Sequence, residues 1–325
     1  MTALQIGVVA ALYYASGKLG LLQQLVRGQV SPLWPPTGIA LAGLLLLGLR
    51  IWPGIAIGAF LINVSLGPSF PAVLAITTAN TLAPLCSYAL LHRAGFRIRI
   101  NRFQDALALV FLGGLTGMLI SATVGSGTLY LAHTLPAGGF WRTWWVWWTG
   151  DAMGVLVVTP VLIVLRSAHW PKHAPPSRWE EGTLLVAATI GVCFLENAPA
   201  PLIFLSFPLL TWAAFRFQLT GAAPCALAVS VSAILAATRR TGSFTGHTLL
   251  TNMIALQAFN GAAAMTALLL AAVITERNEA QKKIEETCRR LAEMAARIAR
   301  DTGGPSPLPG DRGDEEENGG PTRQS

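Results

Sequence analysis

The sequence predicts an all-α integral membrane protein, a polytopic bundle of eight to ten transmembrane helices with a weak internal repeat. Three observations predict it. Of 325 residues, 53% are hydrophobic and only 12% are charged, about half the charged fraction of an average soluble domain. Mean hydropathy is +0.52. Charge is also segregated: residues 1–275 hold 14 Lys or Arg and 5 Asp or Glu, whereas residues 276–325 hold 9 and 11. The net charge of +7 then reflects loop topology rather than nucleic-acid binding, because the aromatic residues sit inside apolar runs.

A spanning helix needs roughly 20 mostly apolar residues. Ten candidates follow in order: 4–25, 36–50, 52–66, 70–92, 104–134, 143–166, 181–196, 200–216, 219–238 and 248–275. The second, third, seventh and eighth are short, which suits slightly tilted helices or broken, re-entrant pairs. The first lacks a basic leader region and a small-residue cleavage site, so it reads as a retained helix rather than a signal peptide.

Cations in short loops set orientation. With ten spans, one side holds Arg50, Arg93, Arg97, Arg99, Arg102, Arg166, Lys172, Arg178, Arg216 and the charged end, and the other holds Arg27, Arg142, Arg239 and Arg240. The expectation is a bacterial inner membrane protein with both termini cytoplasmic. The pair Arg239-Arg240 runs against the rule.

The second and third spans each open on proline. In Ser31–Phe60, "SPLWPPTGIALAGLLLLGLRIWPGIAIGAF", Pro35, Pro36 and Pro53 fall where a first helical turn has no use for the N–H. Trp34 and Trp52 suit an interface. A similar order recurs at Leu205–Ser232, "LSFPLLTWAAFRFQLTGAAPCALAVSVS": proline, apolar run, arginine link, then glycine and proline. This is the repeat.

Few polar groups of consequence lie within the spans, and they favour the outer half: Lys18, Asn63, Asn80, Asp151 and Glu196. Charge at membrane depth is costly and faces a bundle interior or a wet cavity. Lys18 and Asp151 are the natural opposite charges for an ion pair, either tying two helices together or also meeting a ligand. Lys18 alone can instead snorkel to the interface. Asp151 sits in "FWRTWWVWWTGDAMGVLVVTP", which carries five of the ten tryptophans between Trp141 and Trp148. Trp148 is the candidate to turn inward beside Asp151. Gly150 and Gly154 share GxxxG spacing, as do Gly54/Gly58 and Gly113/Gly117, which favours close backbone packing within the bundle over dimerisation. The ligand or switch candidates are therefore Lys18, Trp34, Pro35, Pro36, Gly38, Asn63, Asn80, Trp148, Gly150, Asp151 and Gly154.

Beyond the last span, Ile284, Leu291 and Ile298 recur every seven residues with Met294 between. That is a short coiled-coil-like seam suited to a parallel homodimer, or else a solvated helix. Residues 301–325 are rich in Gly, Pro and acids and read as disordered. The domain expectation is a membrane body at 1–275, a cytoplasmic signal helix at 276–300 and a tail at 301–325.

Other chemistry is excluded by pattern. Cys86, Cys193, Cys225 and Cys288 show no CxxC spacing, which argues against zinc and disulfide frameworks. Pro171 separates His169 from His173. No GxSxG, P-loop or paired catalytic carboxylates occur, so no catalytic residue, metal or cofactor is expected.

The strings "LWPPTGIALAGLLLLGLRIWPGIAIGAFLIN", "WWVWWTGDAMGVLVVTPVLIVL", "FPLLTWAAFRFQLTGAA" and "LLLAAVITERNEAQKK" together resemble the bacterial membrane-associated sensor domain family, type 1, over about residues 4–282. Trp34, Pro35, Gly38, Gly150 and Asp151 match its characteristic positions. The resemblance implies an inner-membrane sensory input domain of the kind that precedes histidine kinase, diguanylate cyclase, phosphodiesterase or PAS modules. About 25 residues read as disordered after the last helix cannot hold such a module, so either a separate effector or a truncated relic is expected. The expected action is then through a separate signalling enzyme or membrane partner in trans, with the lipid bilayer as the other partner and no nucleic acid. A small-solute binding or transport protein is the alternative, suggested by the multi-span body and the repeat.

Overall fold

A computed structural model describes residues 2–22, 31–66, 69–136, 138–167, 176–198, 202–246 and 248–301. The expectations for Arg27, His169, Pro171, Lys172, His173 and the tail after Asp301 lie outside these residues. The described residues are helical with no strand. In chain order they form α1 (Thr2–Leu21), α2 (Pro35–Leu47), α3 (Trp52–Val64), α4 (Phe70–Arg93), α5 (Phe103–Ala108), α6 (Leu119–Leu131), α7 (Phe140–Met153), α8 (Thr159–Ser167), α9 (Pro176–Glu196), α10 (Ser206–Arg239) and α11 (Leu249–Asp301). Two π-helical stretches, Leu109–Thr116 and Gly154–Val158, join α5 towards α6 and α7 to α8.

Among the described residues, five helical segments are long and apolar enough to cross a membrane: Phe70–Arg93, Phe103–Leu131, Phe140–Arg166, Ile203–Arg239 and Leu250–Ile298. The expected eight to ten spans are not all present as separate long helices. The apolar segments at the second and third expected spans are short, Pro35–Leu47 and Leu49–Val64. They form a hairpin that turns at Gly48, whose φ of 83° suits glycine. Proline occupies the first turn of both α2 and α3, as the missing N–H allows.

The eighth and ninth expected spans both fall in α10, which is not one straight rod. Gln218 has φ 54° and ψ −142°, outside any helical region. The Ser206 hydroxyl bonds Glu196, and Ser232 bonds the adjacent Asn197. A continuous helix rising 1.5 Å per residue would hold residues 206 and 232 roughly 40 Å apart. α10 therefore doubles back at Gln218 into a second short hairpin.

Packing follows from small residues. α1 lies against α2 and α3, α3 against α4, and α4 against α6. A Cβ at Gly54 would stand 2.5 Å from the Ile6 carbonyl oxygen, and one at Gly58 2.7 Å from Tyr13 Cβ, so the pair lets α3 lie directly on α1. Gly117 lies against Ser87, whose hydroxyl donates 2.8 Å to the Gly113 carbonyl. One core joins Leu41, Leu109, Val155, Ala213 and Val229 with Leu256, Ala263 and Ala267 of α11, and a smaller one gathers Tyr13, Leu44, Ile55 and Ile62. The described residues up to Arg277 form one unit and those from Asn278 to Asp301 another.

Candidate functional site

α2 and α7 meet backbone to backbone. A Cβ on Gly38 would overlap the Gly154 carbonyl, one on Gly154 the Trp34 carbonyl, and one on Gly150 the Ser31 carbonyl. Three glycines expected from the sequence as switch candidates are thus the seam between two helices. The Trp34 N–H donates 3.0 Å to the Gly150 carbonyl, and Thr159 Oγ1 donates 3.0 Å to the Gly38 carbonyl. Pro35 and Pro36 cap the seam and touch Gly20 and Gly17 of α1.

That seam fixes Asp151, which is 2% exposed. Thr37 Oγ1 donates 2.7 Å to its Oδ1, and Ser121 Oγ donates 2.5 Å to its Oδ2. Thr37 stands in the first turn of α2 and Ser121 in the first turn of α6, so the carboxylate ties three helices. Trp147 lines the same pocket as Asp151, and a Cβ on Gly125 would stand 2.5 Å from its ring. The Trp34 ring packs against the small core that holds buried Tyr13.

A small polar pocket of about 30 Å³ opens beside the carboxylate, lined by Ser31, Trp34, Asn63, Leu66, Asn80, Trp147 and Asp151. Asn63 also donates 2.8 Å to the Ala59 carbonyl. Volume of this order admits about one or two waters.

Four sequence candidates, Trp34, Asn63, Asn80 and Asp151, therefore share one pocket. Two do not. Lys18 forms no pair with Asp151; its Nζ donates 2.8 Å to Ser65 Oγ and lies 5.5 Å over the Tyr14 ring. Lys18 is at an exposed position one turn from the end of α1, where its long stem lets the ammonium stay wet. Trp148 turns away from Asp151, donates 2.7 Å to the Leu115 carbonyl and stacks on Trp144. Its neighbour Trp147 takes the inward place. Thr37, Ser121, Tyr13 and Ser31 were not singled out by sequence, because single hydroxyls and an aromatic in an apolar run carry no distinguishing pattern. Thr37 had one usable signal, its place between Pro36 and Gly38.

The pocket connects to α11. Gln257 Nε2 donates 3.1 Å to the carbonyl of Pro32, in the loop that carries Ser31 and Trp34. Farther along, Glu276 Oε2 accepts 2.9 Å from the N–H of Phe103, the first residue of α5. Among the described residues, no three His, Cys, Asp or Glu side chains gather in a metal-binding group.

The MASE1 family model matches residues 5–278. The chain is 26% identical over 195 residues to the Escherichia coli (strain K12) protein named Probable diguanylate cyclase DgcE, a stretch covering 58% of this chain and 17% of that protein. The chain thus spans well under two thirds of that relative. No solved structure matches. With the family model extending from α1 into α11 and taking in the whole Asp151 seam, the chain belongs to the MASE1 family of membrane-associated sensor domains.

Proposed function

We propose that this membrane sensor domain receives its stimulus at the Asp151 pocket and passes it through α11 to a cytoplasmic effector. The observation that supports this most is convergence: Trp34, Asn63, Asn80 and Asp151, from four separate helices or helix starts, line one polar pocket. Polar groups at membrane depth mark functional sites by default. The pocket is too small for anything beyond water, so a small ligand or a partner's side chain enters only if the helices around it separate. Binding then favours that wider packing through differential affinity, the sole way a ligand shifts a conformational equilibrium. The Gln257–Pro32 bond gives α11 a share in the movement.

The orientation read from loop cations puts the pocket on the periplasmic side of a bacterial inner membrane and both termini in the cytoplasm. On the cytoplasmic segment, Ile284, Leu291 and Met294 are 57–64% exposed on a helix, as a seam awaiting a second copy requires. We assign homodimerisation to them and to Ile298, and place the effector, a signalling enzyme, downstream.

Oxidative cross-linking through exposed Cys288 in membrane vesicles tests the whole reading. A disulfide-linked dimer is expected, lost in Cys288→Ser, with its yield changed at least twofold by Asp151→Asn and by Gln257→Leu. Equal yield in wild type and both variants, at equal expression, overturns the transmission route.

A further inference from the structure

The carboxylate device occurs twice. Asp151 accepts from Thr37 in the first turn of the α2–α3 hairpin and from Ser121. Glu196 accepts 2.5 Å at Oε1 from Ser206, the first residue of the α10 hairpin, and has Ser232 beside it. Both carboxylates are 2% exposed. They differ in one respect: each Asp151 oxygen has a hydroxyl donor, whereas Glu196 Oε2 has no partner among the described residues.

The donors near Glu196 are already committed. Ser232 has one proton; its hydroxyl stands 3.0 Å from the Cys193 carbonyl and is shared between that oxygen and the Glu196 carboxylate. Asn197 Nδ2 donates to Ser232 at 3.1 Å and to Cys193 at 2.9 Å. Asn197 Oδ1 is left without a donor among the described residues, like Glu196 Oε2. Both orphans are acceptors. Backbone adds more oxygen: a Cβ on Gly242 would stand 3.0 Å from the Ala198 carbonyl and closer still to that of Glu196. Gly242 has φ 55°, so the chain presses onto these carbonyls where a side chain cannot go. α9 ends here, and a helix C-terminus carries partial negative charge.

An oxygen-only set with surplus acceptors at a helix C-terminus lacks a cation. Hard oxygen ligands select alkali and alkaline-earth ions over transition metals. Glu196 is the one carboxylate in the set, so a monovalent ion leaves the site neutral, whereas a divalent ion leaves a net charge at membrane depth. We propose that Glu196 anchors a monovalent alkali cation site, with Asn197 Oδ1 and the end of α9 completing its oxygen shell. A groove of about 410 Å³ between α9 and α10, lined by Thr189, Cys193, Asn197, Ser232 and the cationic Arg239 among others, reaches the Asn197 and Ser232 side of this cluster. The site stands apart from the Asp151 pocket and does not depend on the sensor reading.

Thermal unfolding of the full chain in lipid nanodiscs at constant ionic strength tests it, with sodium, potassium or N-methylglucamine chloride. A ligand that binds only the folded state raises Tm saturably. The expected rise is about 3 °C or more at ten times the Kd, in sodium or potassium but not N-methylglucamine. It is expected to vanish in Glu196→Gln, weaken in Asn197→Leu and persist in Asp151→Asn. Retention of radioactive sodium or rubidium by wild-type protein, competed by the unlabelled ion, keeps the test decisive if a variant fails to fold. Identical Tm in all three salts with no retained ion overturns the site, as does an undiminished sodium effect in folded Glu196→Gln. The first of these is also the result if Glu196 is satisfied by a proton alone.

Discussion

Thr37 and Ser121 each donate to Asp151, so removing either takes a donor from a carboxylate in a membrane interior. Thr37→Val keeps the shape and deletes the donor. It is expected to lower stability by about 1–3 kcal/mol, read from the thermal midpoint in detergent, and Thr37→Ser is expected to recover most of it. The glycines of the seam make a sharper test. Gly38→Ala and Gly154→Ala push a methyl group into a backbone carbonyl, which cannot swing aside as a side chain can. Each is expected to cost at least as much as ordinary core overpacking, about 1–3 kcal/mol. Gly182→Ala, on α9 with nothing within 4 Å of the added atom, is expected to stabilise by about 0.5–1 kcal/mol through helix propensity. Equal effects at the three sites would remove the argument for a fitted seam. At this scale the sequence showed Asp151, Asn63 and Asn80 because polarity stands out in an apolar run. It misled on Lys18, because opposite charge says nothing about which helices touch.

α10 carries its prediction at the reversal. Gln218 adopts φ 54° and ψ −142°, near a region occupied almost only by glycine, at a cost of about 1–3 kcal/mol. Gln218→Gly is expected to raise the thermal midpoint by a few degrees, whereas Gln218→Pro, whose ring fixes φ near −65°, is expected to prevent folding. A neutral Gln218→Gly would argue that the hairpin turns elsewhere. Hydropathy had ended one span at residue 216 and begun the next at 219, on either side of Gln218, and it placed α2 and α3 to within a few residues. It could not show the π-helical stretches Leu109–Thr116 and Gly154–Val158, because an extra residue per turn leaves apolar content unchanged. The second stretch begins at Gly154, where α2 crosses, in keeping with the tendency of such bulges to lie at functional sites.

Across the whole molecule, the two short hairpins form a pattern that the sequence showed only as a faint echo. Each offers a hydroxyl from its opening residues to a buried carboxylate on another helix. The echo was readable in proline, glycine and arginine order, but the carboxylates stand on α7 and α9, outside the repeated strings, so tertiary structure alone unites them. The proposed seam beyond the membrane body rests on the heptad spacing of Ile284, Leu291 and Ile298, and its role is separable from the pocket. Leu291→Asp is expected to reduce Cys288 cross-linking at least fivefold, while Trp34 and Trp147 fluorescence, measured in single-tryptophan backgrounds, stays unchanged. A parallel change in that fluorescence would tie the seam to folding of the membrane body instead.

The size of the Asp151 pocket bears on how an agonist could be found. A receptor that must open before it binds has an apparent Kd equal to the intrinsic one divided by the open fraction. If about one molecule in a hundred is open, a compound of micromolar intrinsic affinity titrates near 100 μM, and a screen run at low dose discards it. Variants that loosen the seam, such as Gly154→Ala, would then be the better bait. Compounds ranked on them should keep their order on the wild type, displaced by one common factor.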